Sequence, residues 1–237
     1  MSDIDPNDLK KRFLQASALA TGTITSGIEL LGNPRRFHSV RKRRRSTRLN
    51  ESIRFAVATS VLMIAMYFVT VSSEATINGA TAFLTLGAFL NLAHLLAMAG
   101  IVGIVGRVVV PQVPLRVHIE NVLYATAVLP IVALFAQPLM DAQLRAVLAD
   151  SHLFTFGYRP SLAAIMDASP AASVCDIVVR AGYAWFAALV YFGLRVAADV
   201  SRWRAIAVVA PAMLGILLYQ GLVILPSTQQ FVHAMTR

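Results

Sequence analysis

Five stretches of the chain are long and apolar enough to cross a bilayer: Ile53–Thr70, Ala80–Val105, Val117–Met140, Val174–Ala197 and Ala205–Leu225. About 20 mostly apolar residues bridge a hydrocarbon core of roughly 30 Å as a helix. Helices are the expected form, because a backbone in lipid must satisfy its own N–H and C=O groups. Ahead of these spans, Leu9, Phe13, Ile24, Ile28 and Leu31 recur at spacings near three and four within Asp8–Leu31. Lys10, Lys11 and Gln15 fall mostly on other faces, which predicts an amphipathic helix. The stretch "TGTITSG" at 21–27 weakens that helix, and "GNP" at 32–34 is expected to stop it. The expected fold is therefore all-α: five transmembrane helices preceded by an amphipathic cytoplasmic helix. The division is a basic segment over 1–52, a membrane domain over 53–226 and a short extracytoplasmic tail over 227–237.

The connection between the third and fourth spans is long for a structureless loop. "PLMDAQLRAVLAD" there predicts a short amphipathic helix, and Phe154, Phe156 and Tyr158 alternate in a way that suits the outer membrane interface.

Composition agrees with the pattern. Charged residues are 14% and hydrophobic residues 57% of 237, with a mean hydropathy of +0.65. A soluble domain carries about 25% charged residues, so this chain is too poor in charge to cover a water-facing surface.

The charge is uneven. Residues 1–54 hold twelve of the 21 Lys and Arg, and "RRFHSVRKRRRSTR" at 35–48 alone holds Arg35, Arg36, Arg41, Lys42, Arg43, Arg44, Arg45 and Arg48. The loop after the first span has no basic residue, the next carries Arg107 and Arg116, and the loop before the fifth span carries Arg195, Arg202 and Arg204. This alternation places the N-terminus in the cytoplasm and the C-terminus outside, in a cell (inner) membrane. A basic run this close to a bilayer first fixes topology. It also meets anionic phospholipid, where each basic residue is worth about 1 kcal/mol, in preference to nucleic acid. No compact apolar leader is evident near the start, so the first span is expected to act as the insertion signal.

Ionisable and amide side chains within the spans are candidates for function. Asn91 and His94 lie three residues apart in span two and share a helix face. Glu120 sits about one turn into span three, with Arg107 and Arg116 as candidate partners. Asp176 and Arg180 are four apart in span four and are expected to pair, and Gln220 sits in span five. Gly100, Gly103 and Gly106 offer a smooth face for helix packing, within the chain or between copies. Cys175 is the only cysteine, and the five histidines show no metal-ligand spacing. No nucleophile elbow, Walker loop or zinc-protease motif is present. No cofactor or metal is implied, and an enzyme is the least supported class.

A basic segment with "LLGNPRRF" leads straight into five closely spaced spans, with "LYATAVLPIVALF" in the third and "YFGLRVAADVSRWRAIAVVAPAML" into the fifth. This layout resembles the Yip (Ypt/Rab-interacting-protein) superfamily of membrane domains in its bacterial form. The residues that carry the resemblance are Pro34 and Phe37, then Tyr124, Ala125 and Pro130, then Leu194, Arg195, Arg204 and Ala205. The Asp-Leu-Tyr-Gly-Pro segment of eukaryotic members is absent, so small-GTPase binding does not carry over. The resemblance implies a non-enzymatic multi-pass protein that organises membrane partners or anionic lipids, alone or as a homo-oligomer. The alternative is a small transporter or channel component with a polar path near His94 and Glu120.

Overall fold

The computed structural model describes residues 6–42, 48–71, 77–135 and 171–224, and all its regular structure there is helical, with no strand. In chain order the helices are α1 (Pro6–Gly32), α2 (Pro34–Lys42), α3 (Arg48–Val71), α4 (Ile77–Val109), α5 (Leu115–Phe135), α6 (Ala172–Phe192) and α7 (Arg202–Tyr219). Among the described residues four segments are long and apolar enough to cross a membrane: Leu92–Val109, Leu115–Phe135, Ser173–Ala197 and Arg202–Val223. The first span read from the sequence, Ile53–Thr70, falls within α3; side chains 64–91 lie outside the described residues. So do the whole connection over 136–170, with Phe154, Phe156 and Tyr158, and the tail from 225 onward.

α1 and α2 meet at the helix end expected at 32–34. α1 runs unbroken through Thr21–Gly27. Threonine and glycine are weak helix formers, but Leu30 is fully buried and Gly27 rests against Phe55, so tertiary packing overrides local propensity. The helix does end at Gly32, yet "GNP" is a joint more than a stop. Asn33 Oδ1 accepts the backbone N–H of Arg36 at 3.1 Å, which caps α2, and Pro34 takes the first helical position, where its missing N–H costs nothing.

α5 is the axis of the bundle: 72% of the apolar 18-residue window within Leu115–Phe135 is buried, against 17% of the corresponding window within Arg202–Val223. It touches α3, α4 and α6. A 3₁₀ turn at Thr126–Val128 interrupts it. Pro130 accounts for this turn, since it cannot donate to the Thr126 carbonyl; the Leu129 N–H takes that carbonyl instead. The freed register lets the Thr126 and Thr59 hydroxyls meet at 3.1 Å between α5 and α3, both buried.

Glycines set the spacing of the helices around α5. A Cβ at Gly103 would lie 2.7 Å from Leu115, and one at Gly106 would overlap the His118 ring. These two glycines therefore serve packing of α4 on α5 within the chain, whereas Gly100 faces open space. The outward faces carry Leu92, Leu96, Ile104 and Val108 on α4 and Leu214, Leu217 and Leu218 on α7, all exposed, as a lipid-facing surface requires.

Candidate functional site

The basic segment divides into charges held by the bundle and charges that face outward. α2 buries Pro34, Phe37 and His38. The Phe37 ring meets Tyr124 of α5 edge-on with centroids 5.1 Å apart, and Phe55 of α3 lies against the same tyrosine at 5.6 Å. The Arg41 guanidinium sits 3.7 Å from the centre of the Phe37 ring and donates to Ser26 Oγ at 3.2 Å. Lys42 forms an ion pair with Asp199 in the loop between α6 and α7. Arg35 lies over Phe192 at 5.4 Å with its side chain exposed, and Arg36 is exposed as well. Arg43, Arg44 and Arg45 lie outside the described residues, as does the side chain of Arg48, which opens α3.

The receptor for α2 is the end of α6. That helix widens into a π-helical turn over Gly193–Ala197 and closes at Asp199, which adopts a left-handed φ of 53°. Aspartate tolerates this conformation better than most residues. The Val200 N–H returns to the Leu194 carbonyl at 3.1 Å, and Arg195 Nη1 donates to the Val200 carbonyl at 2.8 Å, fixing the turn.

Beneath α2 lies a layer of buried polar groups on α5. Glu120 is 1% exposed and pairs with Arg116 at 3.2 Å, Arg116 reaching in from the surface. Arg107, the other candidate partner, turns instead to the Pro111 carbonyl at 2.8 Å, in the turn that follows α4. His118 and Asn121 occupy the opposite face of α5. Each fits a socket made by a glycine: His118 against Gly106, and Asn121 against Gly193, where a Cβ would stand 2.6 Å from the side chain. Both are buried.

A second polar centre lies deeper, between α4, α6 and α7. Gln220 Nε2 donates to Tyr183 Oη at 2.5 Å and to His94 Nε2 at 3.3 Å, and the His94 ring stacks on Tyr219 with centroids 5.8 Å apart. Gln220 opens a second π-helical turn, Gln220–Ile224. The side chain of Asn91 lies outside the described residues. Asp176 and Arg180 pair with each other at 2.7 Å on one face of α6. Cys175 is a buried free thiol, and among the described residues no group of metal-ligating side chains gathers.

The structure thus joins His94 directly to Gln220 and adds a tyrosine, Tyr183, that the sequence did not single out. Tyr183 lies in a run of apolar residues, and its hydroxyl was the signal available. Lys42–Asp199 spans 157 positions and had no signature in the pattern. His94 and Glu120 do not converge; they are separated along α4 by Leu95, Met98, Ala99 and Val102, all buried and apolar.

No protein-family model matches the chain, and neither a curated protein nor a solved structure does.

Proposed function

We propose that the protein is a non-enzymatic, five-span membrane protein, Yip-like in layout, that gathers anionic lipids or a membrane partner at the cytoplasmic face through its basic N-terminal segment. The observation that carries this reading is the seating of α2. Phe37 anchors it in the bundle, while Arg35 and Arg36 stay exposed and Lys42 leads the chain into Arg43–Arg45. A short helix fixed in this way holds a cationic surface at a defined place instead of leaving it on a free tail. α1 supports the reading, since Leu14, Ile24 and Ile28 are exposed, an apolar surface that suits the interfacial region of a membrane.

The test is extraction of the protein from native membranes into polymer nanodiscs, with mass spectrometry of co-purifying lipids and proteins. Arg43, Arg44, Arg45 and Arg48 changed together to Gln should lose a discrete anionic lipid or protein that the unaltered chain retains. Identical inventories from the two chains would sink the proposal.

A second reading rests on the Gln220–His94–Tyr183 contacts, which bring polar side chains from three helices together in the membrane. A transporter component would use them to pass a small polar solute or proton. The buried apolar residues between His94 and Glu120 count against a continuous path. Flux into liposomes that is unchanged in a His94→Ala chain would dismiss this reading.

A further inference from the structure

Arg202, Trp203 and Arg204 stand exposed at the start of α7. Trp203 is 75% accessible, and the Arg202 guanidinium lies 5.7 Å from its ring. In the sequence these arginines only mark a side of the membrane. The fold places them beside the Lys42 end of α2, whose other end carries Arg35 and Arg36. α2 lies along the end of α6, from Arg35 over Phe192 at one end to Lys42 on Asp199 at the other. The Lys42 end therefore sits three residues before Arg202, and the run Arg43–Arg45 begins there in sequence. Asp199 is the one acidic residue between Ile177 and Ile224, and Lys42 already holds it. Arg195 is exposed on the same turn.

We propose that Arg202, Trp203 and Arg204 join Arg35 and Arg36 in a composite surface that binds the phosphate headgroups of anionic phospholipids. This rests on the reading of the basic segment as lipid-facing and extends it to a part of the chain some 160 residues away. Lipid is favoured over nucleic acid or an acidic protein by position. Residues 198–201 are all that separate the apolar segments Ser173–Ala197 and Arg202–Val223, so the arginines lie where hydrocarbon gives way to headgroups. Tryptophan is enriched at that level, since it has an apolar body and one polar N–H. A tryptophan this exposed is poorly placed in water and well placed among lipid glycerols. The guanidinium fork matches phosphate geometry in two parallel hydrogen bonds. Nothing acidic among the described residues of α2, the π-helical turn or α7 competes for them.

The test uses the full chain reconstituted in phosphatidylcholine nanodiscs with a minor fraction of phosphatidylglycerol, counting retained lipids by native mass spectrometry. The unaltered chain should enrich phosphatidylglycerol. R202Q/R204Q should lower that enrichment roughly 5-fold for each arginine lost, R35Q/R36Q should lower it comparably, and R202K/R204K should keep only part of it, since lysine retains the charge but not the guanidinium fork. Full enrichment in R202Q/R204Q alongside loss in R35Q/R36Q overturns the composite surface and leaves the N-terminal reading standing. No enrichment in the unaltered chain overturns both, as does selective retention of RNA or an acidic protein in its place. A second arm avoids charge variants altogether. W185F leaves Trp203 as the sole tryptophan. Its fluorescence should be quenched more by brominated phosphatidylglycerol than by brominated phosphatidylcholine at equal content, and equal quenching overturns the proposal.

Discussion

Replacing Phe37 with alanine separates the seating of α2 from the rest of the fold. Phe37 is fully buried, edge-on to Tyr124 and capped by the Arg41 guanidinium at 3.7 Å. Truncating such a ring costs about 3–5 kcal/mol from lost burial and the cavity left behind. The cation–π contact adds about 0.5–2 kcal/mol. What remains to hold the helix is the burial of Pro34 and His38 and one exposed ion pair. The Lys42–Asp199 pair, with side chains 33% and 69% exposed, contributes on the order of 1 kcal/mol or less. A helix of nine residues does not persist by itself in water. The loss should therefore appear as local opening of residues 34–42 and not as global unfolding. Hydrogen–deuterium exchange in nanodiscs reads this directly. Amides of α2 should lose protection by on the order of 100-fold or more, since 1.4 kcal/mol is a factor of ten. Amides of α5 and α6 should keep theirs. Phe37→Leu should fall between. If α2 in the alanine chain exchanges within about threefold of the unaltered rate, Phe37 is not the anchor and the argument from burial is wrong.

Five other substitutions, at four positions, test the packing and the polar contacts. Gly193→Ala drives a methyl toward Asn121 and should cost about 1–3 kcal/mol, whereas Gly100→Ala, which faces open space, should be neutral or stabilise by up to about 1 kcal/mol. The buried thiol of Cys175 makes a thiol-reactive dye a convenient reporter of thermal unfolding for both. Asp199→Gly removes the ion pair but also the left-handed strain at φ 53°, so it should be close to neutral; Asp199→Ala keeps the strain, loses the pair and should cost about 1–2 kcal/mol by the same dye assay. Tyr183→Phe removes the hydroxyl that accepts from Gln220 and should lower stability by about 0.5–1.5 kcal/mol, measured as a lower unfolding midpoint in detergent.

Helices and membrane character were legible because they depend on composition within a window of about 20 residues. The pairing of Asp176 with Arg180 was also legible, because i and i+4 positions meet on any helix, while Glu120 was left between Arg107 and Arg116 until the fold chose Arg116. Contacts between helices were not. The sequence offered Phe37 and Tyr124 as separate features of a resemblance, and nothing in their spacing said that their rings touch. The glycine stripe of α4 left open whether it faced the chain or a second copy; only the positions of Leu115 and His118 decide that Gly103 and Gly106 face inward. The unbroken α1 went the other way. Local propensity argued for a weakened helix at Thr21–Gly27, and docking around Leu30 outweighed it.

The division of the basic segment changes how its function has to be tested. Neutralising every charge from Arg35 to Arg48 would remove Arg41 and Lys42 together with the outward-facing residues. Arg41 covers the ring that anchors α2, and Lys42 ties its far end to Asp199. Such a chain would lose its seating and its surface charge at once, and a loss of lipid binding would then say nothing about which was responsible. R41Q/K42Q should loosen α2 by roughly 10-fold in exchange while leaving Arg35 and Arg36 charged. R35Q/R36Q should do the reverse, keeping exchange within about fivefold, because an exposed guanidinium over Phe192 is worth little. If anionic lipid follows the second pair and not the first, the charge itself is what the membrane reads. If it follows the first, the seating of α2 is the functional element, and the exposed arginines do no more than set the orientation of the spans.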